Sequence, residues 1–226
     1  MHLHLEAHQA QQSRWPARGR HVMAQYDDTR VVVYQAYRPS IGRAAVQQGH
    51  FGGGGFSFDR MSWIKPNFLW MMYRCGWAQK DGQEVVLAIT LARHAFDTIL
   101  SQAVPSSFGQ VDRYPDRAAW SDAVKTSDVR LQWDPDHGPD GQPLERRAIQ
   151  LGLRGDTLAK FAREWILAIE DITPFVVEQR TRRGADLITP REAVYPCAPA
   201  GAAAIGCDRH DAVDLATSSV ARAVAR

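Results

Sequence analysis

Two apolar segments separated by a turn-rich stretch limit the fold of this 226-residue chain more than any other feature. Residues 129–135, VRLQWDP, and residues 146–154, RRAIQLGLR, flank the stretch DHGPDGQP, in which proline, glycine and aspartate predominate. This pattern predicts a β-hairpin with a longish loop, because those residue types favour turns between strands. A hairpin in this place does not fit the regular alternation of a doubly wound parallel sheet.

The other strands and helices are predicted from apolar spacing and from residues that start or stop helices. Strands are predicted at VVVYQAY (31–37), RMSWIK (60–65) and EVVLAITLAR (84–93). Helices are predicted at SIGRAAVQQGHF (40–51) with Ser40 as N-cap, FLWMMYRCGW (68–77), HAFDTILSQAV (94–104), residues 116–125, and TLAKFAREWILAIEDI (157–172) with Asp156 as N-cap. This order of elements predicts an α+β fold, in which helices pack on a mixed, mainly antiparallel sheet.

Composition divides the chain into three parts. Residues 1–20 are polar without a pattern and predict a disordered leader, residues 21–196 suit a single globular α+β domain, and residues 197–226 predict a flexible Ala/Gly-rich tail. The net charge of +2 is too small to indicate a nucleic-acid or membrane partner by itself. Because the sequence has no apolar run of bilayer length and no secretory signal pattern, we expect a cytoplasmic protein without a membrane partner.

Several familiar kinds of site are not supported by the spacing of their residues. Cys75, Cys197 and Cys207 contain no C-x-x-C pair, so neither a disulfide-linked partner nor a zinc knuckle is expected. Acidic and histidine residues at 134–140 could form a metal cluster, but Asp and His are common in such turns, and no metal is expected. The glycine run 52–55 could hold a phosphate, but the sequence around it does not match a P-loop, so a flexible loop is the preferred interpretation.

The segment RMSWIKPNFLWMMYR, residues 60–74, combines aromatic and basic side chains more densely than any other part of the chain. Alternation along the strand places Trp63 and Lys65 on one face, and Arg74 follows on a helix that is apolar nearly all round. An arginine on such a helix needs a carboxylate or an anionic ligand. The segment is therefore either core with ordinary ion pairs, or the wall of a pocket that stacks an aromatic ring and holds a phosphate.

Polar side chains interrupt three other predicted strands. Gln35 and Tyr37 share one face of the first strand, at whose end Arg38 lies. Gln132 and Asp134 share a face of the hairpin. Gln150 lies in the middle of the apolar returning strand, where a buried amide must find hydrogen-bond partners. Four strands with polar groups inside apolar runs favour a functional site over a purely structural sheet.

Several of these segments also resemble a known family. VYQAYRPSIGRAAVQQGHF, DRMSWIKPNFLWMMYRCGW, QEVVLAITLARHAF, VRLQWDPD and RRAIQLGL together resemble domain-of-unknown-function family 4291, in collinear order from about Gln25 to Tyr195. The resemblance covers three quarters of the chain and implies no established activity.

In architecture the chain also resembles the amino-terminal half of ADP-ribosyltransferase-like proteins, including RNA 2′-phosphotransferases. That resemblance implies that Arg38 or Gln35 holds a ribose or phosphate and that Trp63 and Tyr73 sandwich the nicotinamide of NAD. A late strand of that class often supplies a glutamate. Here that strand offers Gln132 or Gln150, and Asp134 is the only carboxylate placed to substitute.

Two functional hypotheses follow. The first is an ADP-ribosyltransferase-like enzyme that uses NAD as cofactor or acts on the phosphate end of a nucleic acid. Its predicted catalytic residues are Gln132, Asp134 and Gln150, and its predicted cofactor-binding residues are Gln35, Tyr37, Arg38, Arg60, Trp63, Lys65, Tyr73 and Arg74. The second is a non-catalytic RNA- or nucleotide-binding module, in which aromatic and basic residues hold a single strand. The basic residues Arg180, Arg182, Arg183 and Arg191 could extend such a surface, although runs of this kind are more often solvated helix faces.

Overall fold

The structure is a computed structural model that describes residues 2–208 of the chain. Its strands are β1 (Leu5–Ala7), β2 (Gly19–Arg20), β3 (Met23–Ala24), β4 (Arg30–Tyr37), β5 (Ser62–Ile64), β6 (Val85–Ala92), β7 (Ala103–Pro105), β8 (Val129–His137), β9 (Pro143–Leu153), β10 (Ile166–Asp171), β11 (Ile188–Pro190) and β12 (Ala193–Val194). Its α-helices are α1 (His8–Gln12), α2 (Pro39–Gln48), α3 (Phe68–Cys75), α4 (Arg93–Ser101), α5 (Arg117–Thr126), α6 (Gly155–Lys160), α7 (Thr173–Gln179) and α8 (Pro199–Ile205).

Two larger sheets form the body of the described chain. Strands β10, β6 and β4 make an antiparallel sheet in that order. The hairpin β8–β9 is the centre of the second sheet, with β7 parallel to β8, and with β2 and β5 pairing along β9. The predicted α+β fold with a mainly antiparallel sheet is confirmed, and so is the predicted hairpin.

The short strand β5 connects the two sheets. Its three residues pair antiparallel with Leu151–Leu153 of β9. The next residue, Lys65, forms a bridge to Tyr34 of β4 through backbone hydrogen bonds of 2.7 and 3.2 Å. Pro66 then ends the strand. The edge of β4 and the edge of β9 are therefore held at one corner, where polar side chains from both sheets meet.

Apolar residues cover both faces of the three-stranded sheet. On one face, Val33 and Leu87 belong to the larger core, which includes α4 and the inner face of the hairpin. On the other face, Tyr34 and Val86 belong to a second core, which is closed by α3 and α7. Burial on both faces explains why β4 and β6 have continuous apolar runs in place of a polar-apolar alternation.

Helix α3 begins at Phe68, the first residue of the predicted helix 68–77, and ends at Cys75. Asn67 is its N-cap, with Oδ1 accepting a 2.7 Å hydrogen bond from the backbone N–H of Trp70. Gly76 ends the helix in the left-handed conformation, with φ of 58°. The predicted N-cap of α2, Ser40, is wrong by two residues, because Arg38 is the N-cap position and Pro39 the first helical residue. Proline is favoured there because a backbone N–H in the first turn has no acceptor within the helix, so the helix loses no hydrogen bond.

The long helix predicted over residues 157–172 is wrong. Only α6 and a π-helical turn, Phe161–Trp165, are helical, and the chain then continues as β10 along the edge of β6. Asp156 lies in the first turn of α6, and the N-cap position is Arg154. The apolar spacing from Leu158 to Trp165 fits a helix. The pairing of Ile166–Asp171 with β6 is a long-range interaction, which the spacing of apolar residues along the sequence does not predict.

Residues 2–20 are not the disordered leader that composition predicts. Strand β1 pairs with β11 and β2 with β9. Gln11 is fully buried between them, where its amide donates to Thr189 and its oxygen accepts from the backbone N–H of Glu192. A polar segment of this kind is ordered by hydrogen bonds to distant strands, which its composition does not reveal.

The carboxyl-terminal end is also partly helical where a flexible tail is predicted. Helix α8 packs on α4, and the carbonyl of Ile205 accepts a 2.8 Å hydrogen bond from Trp133 Nε1. The rest of the predicted tail, residues 209–226, lies outside the described residues. Cys75 is buried, Cys197 and Cys207 are partly buried, and all three are free thiols. No helix between residues 2 and 208 is long and apolar enough to cross a membrane.

The glycine run packs against the start of α2. Gly54 has a φ of 64°, and a Cβ at this position would overlap the carbonyl oxygen of Ser40. The Ser40 hydroxyl donates a 3.0 Å hydrogen bond to the Gly54 carbonyl. The loop therefore needs glycine at position 54 for close backbone approach and for its left-handed conformation.

We expect Gly54→Ala to lower the free energy of unfolding by about 1–3 kcal/mol, because a non-glycine residue is strained in this conformation. Gly53→Ala is the matched control, since its φ is not positive and its Cβ would meet only the movable side-chain amide of Gln48. Urea unfolding of both variants measures the difference. Equal midpoints for the two variants would contradict this assignment.

Candidate functional site

A cavity of about 620 Å³ lies at the corner where the two sheets meet. Strand β4, the start of α2, the loop before β5, helix α3 and the hairpin all contribute to its wall. The structure brings together nine of the eleven residues predicted as site residues. They are Gln35, Tyr37, Arg38, Arg60, Trp63, Lys65, Arg74, Gln132 and Gln150.

The cavity wall is cationic. Arg38, Arg60, Lys65 and Arg74 line it, and among residues 2–208 no aspartate or glutamate does. Within residues 2–208, none of these four cations has a carboxylate oxygen within 4.0 Å. Arg38 instead donates from Nε to the Ser40 hydroxyl, at 3.1 Å, and from Nη2 to the Gly55 carbonyl, at 3.4 Å. If the segment 60–74 were only core, its cations would form ordinary ion pairs. No such pair is found around this cavity in the described chain.

Lys65 is the buried member of this group. Its exposed fraction is 4 %, whereas the three arginines are exposed. Burial lowers the pKa of Lys65 to about 8, and the nearby Arg74 guanidinium acts in the same direction. The Asp134 carboxylate acts in the opposite direction. Lys65 is therefore partly neutral at a pH where an exposed lysine is fully charged.

Hydrogen bonds connect the polar side chains of β4 with β5. Gln35 Nε2 donates to the Ser62 hydroxyl at 2.8 Å and to the Trp63 carbonyl at 3.0 Å. The Tyr37 and Ser62 hydroxyls are 2.7 Å apart. Burial raises the pKa of Tyr37 to about 12, so its phenol is neutral at physiological pH. These hydrogen bonds fix the positions of the Gln35 and Tyr37 side chains in the cavity wall.

A second polar group lies on the hairpin. Gln132 and Gln150 are directly opposite each other on β8 and β9. Gln150 Nε2 donates to Gln132 Oε1 and to Asp134 Oδ2, both at 2.7 Å. Asp134 does not line the cavity, so this carboxylate orients Gln150 from behind. Gln132 Nε2 and Gln150 Oε1 make no hydrogen bond to the described residues, and they are the polar atoms of this group available to a ligand.

Trp63 lies across a glycine of the neighbouring strand. It pairs with Gly152 of β9, where a Cβ would lie 3.0 Å from Trp63 Cε2 and would overlap the sulfur of Met61. The lack of a side chain at position 152 therefore leaves room for the indole ring on the sheet. Trp63 and Lys65, which alternation puts on one face of the strand, both line the cavity.

Tyr73 is not brought to the cavity. Its ring stacks on His137, with centroids 3.5 Å apart, and on Trp70, at 5.4 Å, and the residue is 47 % exposed. The predicted sandwich of Trp63 and Tyr73 is therefore not formed by these residues. Asp136, near the end of β8, forms a buried ion pair with Arg146 at 2.6 Å.

Glu192 supports the site and has no local sequence signal. Its carboxylate is buried, and its Oε1 accepts a 2.6 Å hydrogen bond from the backbone N–H of Phe68, at the start of α3. Its Oε2 accepts from Asn67 Nδ2 at 2.9 Å. Burial raises the pKa of Glu192 well above its ordinary value. This carboxyl group fixes the start of the helix that carries Arg74, yet it lies more than a hundred residues away along the chain.

The comparison with protein families assigns the chain to a family. The model of the family described as a domain of unknown function, DUF4291, matches residues 21–195. The chain belongs to this family, which confirms the resemblance found in the sequence. No curated protein matches the chain.

Because Arg74 is exposed and has no carboxylate partner within residues 2–208, we expect Arg74→Ala to change the free energy of unfolding of the free protein by less than about 0.5 kcal/mol. Arg43→Ala is the matched control, since Arg43 is exposed on α2 and does not line the cavity. Urea unfolding compares the two variants. A loss of about 2 kcal/mol or more in Arg74→Ala alone would show that Arg74 already makes a stabilising interaction within the free protein. Its guanidinium group would then not be available to a ligand.

Proposed function

We propose that this member of the DUF4291 family binds a nucleotide phosphate in the cavity and acts on it as an ADP-ribosyltransferase-like enzyme, with NAD or the phosphate end of a nucleic acid as the ligand. One observation carries the proposal: in the part of the chain that the structure describes, four cations line one cavity without a carboxylate in its wall. Like charges gathered in this way repel one another, and an anionic ligand removes that repulsion. Arginine forks in particular suit the geometry of phosphate oxygens.

The size and composition of the cavity support a small ligand or the end of a chain. Its volume of about 620 Å³ falls within the roughly 300–1,000 Å³ that is usual for small-molecule sites. Trp63 offers a ring for stacking beside the cations. The amides of Gln132 and Gln150 are suited to ribose hydroxyls, because the free Nε2 of Gln132 can donate and the free Oε1 of Gln150 can accept a hydrogen bond.

The charge of the wall favours one branch of this proposal. Cleavage of the glycosidic bond of NAD develops positive charge on the ribose, and a nearby carboxylate stabilises such charge. Here Asp134 is bonded to Gln150 behind the wall, and the groups in front are cationic or neutral. The site therefore suits the phosphate end of a nucleic acid better than NAD. In either branch Gln132 and Gln150 would orient a hydroxyl, and Asp134 would hold Gln150.

The alternative function is a non-catalytic RNA- or nucleotide-binding module. The arginines that could extend such a surface do not line the cavity, and two of them already face carboxylates. Arg182 lies 3.2 Å from Glu178, and Arg191 lies 3.8 Å from Glu6. A cavity with an oriented amide pair is also more than a stacking surface requires. A cytoplasmic location remains part of the proposal.

We expect phosphate-bearing ligands to raise the temperature of unfolding of the intact protein. At a concentration of one hundred times Kd, a ligand adds about 2.7 kcal/mol of stability, which corresponds to several degrees at roughly 2–4 °C per kcal/mol. The panel contains NAD, ATP, S-adenosylmethionine, and short RNA and DNA with and without terminal phosphates. Arg74→Ala should abolish the shift, and Arg43→Ala should retain it.

The panel also separates the two functions. A shift with phosphate-terminated oligonucleotides or NAD that depends on Arg74 supports the enzyme. A shift with any RNA or DNA, independent of the terminal phosphate and shrinking as salt rises, supports the binding module. If no phosphate-bearing ligand shifts the temperature of unfolding, the cavity does not bind nucleotides and the proposal fails.

A further inference from the structure

Lys65 differs from the three arginines in a way that phosphate binding alone does not require. A lysine that only binds phosphate works best when exposed and fully charged, as Arg38, Arg60 and Arg74 are. Lys65 is 4 % exposed and follows β5 directly at the corner of the two sheets. Its backbone is held by both hydrogen bonds to Tyr34 and by the following proline, so the base of its side chain is fixed.

The side-chain nitrogen of Lys65 has no partner in the described chain. No hydrogen bond and no ion pair to Nζ is formed among residues 2–208, and the residue lines the cavity. Nζ is also not among the fully enclosed polar atoms that lack a partner, so it keeps contact with open space. An unpartnered amine that is nine-tenths buried and faces a cavity is the arrangement of a nucleophile.

Burial is the main cause of the lowered pKa of Lys65, and the neighbouring charged groups act in both directions. Burial and the Arg74 guanidinium lower the pKa of Lys65 to about 8, while Asp134 and the Cys75 thiol oppose them. An exposed lysine has a pKa of about 10.4, so at pH 7.5 less than about 1 % of it is the neutral amine. A much larger fraction of Lys65 is neutral at the same pH. The amine form is the one that attacks carbonyl carbon.

We propose that Lys65 is a nucleophilic amine that forms an imine with the carbonyl carbon of a phosphorylated aldehyde or ketone held in the cavity. The substrate class rests on the proposed function, because the arginines bind the phosphate group. The new element is the covalent role of Lys65, which places a carbonyl carbon next to Nζ. Two sources share this chemistry: a free sugar phosphate, and the sugar aldehyde at an abasic position of a nucleic acid.

The step balances without an additional reagent. The lone pair of Nζ forms a bond to the carbonyl carbon, and the carbonyl oxygen takes up a proton to give a carbinolamine. The nitrogen loses its remaining proton as the hydroxyl leaves as water, and a C=N bond results. Neither partner is oxidised or reduced, and hydrolysis by the same route returns the free amine.

Reductive trapping tests the inference on the intact protein. Glyceraldehyde 3-phosphate is added with cyanoborohydride at pH 7.5, the reduced adduct is a secondary amine, and peptide mass spectrometry locates it. The chain contains three other lysines, Lys80, Lys125 and Lys160, which are all exposed and serve as internal controls. Unphosphorylated glyceraldehyde, and a short DNA with one abasic position, are the two comparison substrates.

We expect Lys65 to be labelled at least about tenfold faster than each exposed lysine, because its neutral fraction at this pH is much larger. The labelling rate of Lys65 should rise with pH to a midpoint near 8, as its pKa dictates. Arg74→Ala should slow the labelling, and unphosphorylated glyceraldehyde should react more slowly than its phosphate. The faster of the sugar phosphate and the abasic DNA identifies the source of the carbonyl.

Lys65→Arg separates this inference from the proposed function, because arginine keeps the charge but cannot form the imine. If phosphate ligands stabilise both proteins while the wild type labels its four lysines at equal rates, the cavity binds phosphate and the covalent role is wrong. If Lys65 is labelled selectively but equally fast by glyceraldehyde with and without phosphate, the phosphorylated substrate class is wrong. If phosphates also fail to stabilise the protein, the proposed function fails with it.

Discussion

The backbone bridge between Tyr34 and Lys65 holds the two sheets of this protein at one corner, and the cavity residues take their positions from it. Its hydrogen bonds of 2.7 and 3.2 Å join β4 to the end of β5, whose other residues pair with β9. Alternation along each strand then decides which side chains enter the corner. Gln35 enters from one sheet and Gln150 from the other, with Trp63 and Lys65 between them. A change of one residue in this register would turn these side chains away from one another.

The corner also concentrates positive charge, which the rest of the fold has to tolerate. Three arginines keep their guanidinium groups exposed to water, which lowers the electrostatic cost. The amine of Lys65 is buried, and the electrostatic cost of burying its charged form lowers its pKa. Two carboxyl groups hold parts of the site in place without lining the cavity. Asp134 bonds to the amide of Gln150, and Glu192 bonds to the first turn of α3. Among the described residues, the wall thus carries no carboxylate, although two carboxyl groups support it.

Much of the site can be predicted from the sequence because its residues lie on strands with clear alternation. The period of two along a strand puts Trp63 and Lys65 on one face, and both line the cavity. The same period puts Asp134 on the face of Gln132, but it does not show that this carboxylate lies behind Gln150. Tyr73 shows the limit of this reasoning, because helical position alone does not say which neighbour its ring meets. That neighbour is His137, from the distant end of β8.

The errors in the predicted fold have the same origin. The apolar spacing before Trp165 fits a helix. The residues that follow instead pair with the edge of β6 and form β10. The polar first twenty residues are ordered through Gln11, which bonds to Thr189 and Glu192. Glu192 itself lies far from α3 in sequence. Each of these interactions joins residues from different parts of the chain, and local composition or periodicity does not record such pairs.

The central claim is that the unpaired cations of this cavity exist to bind phosphate. Titration calorimetry with ADP, on the wild type and on Arg60→Ala, tests it most directly, because Arg60 has no carboxylate partner in the described chain. A hydrogen bond to a charged group contributes about 1.5–3 kcal/mol. The account therefore predicts measurable binding to the wild type and a Kd at least about tenfold weaker for Arg60→Ala. Equal affinity for both proteins, or no heat of binding to either, would contradict it.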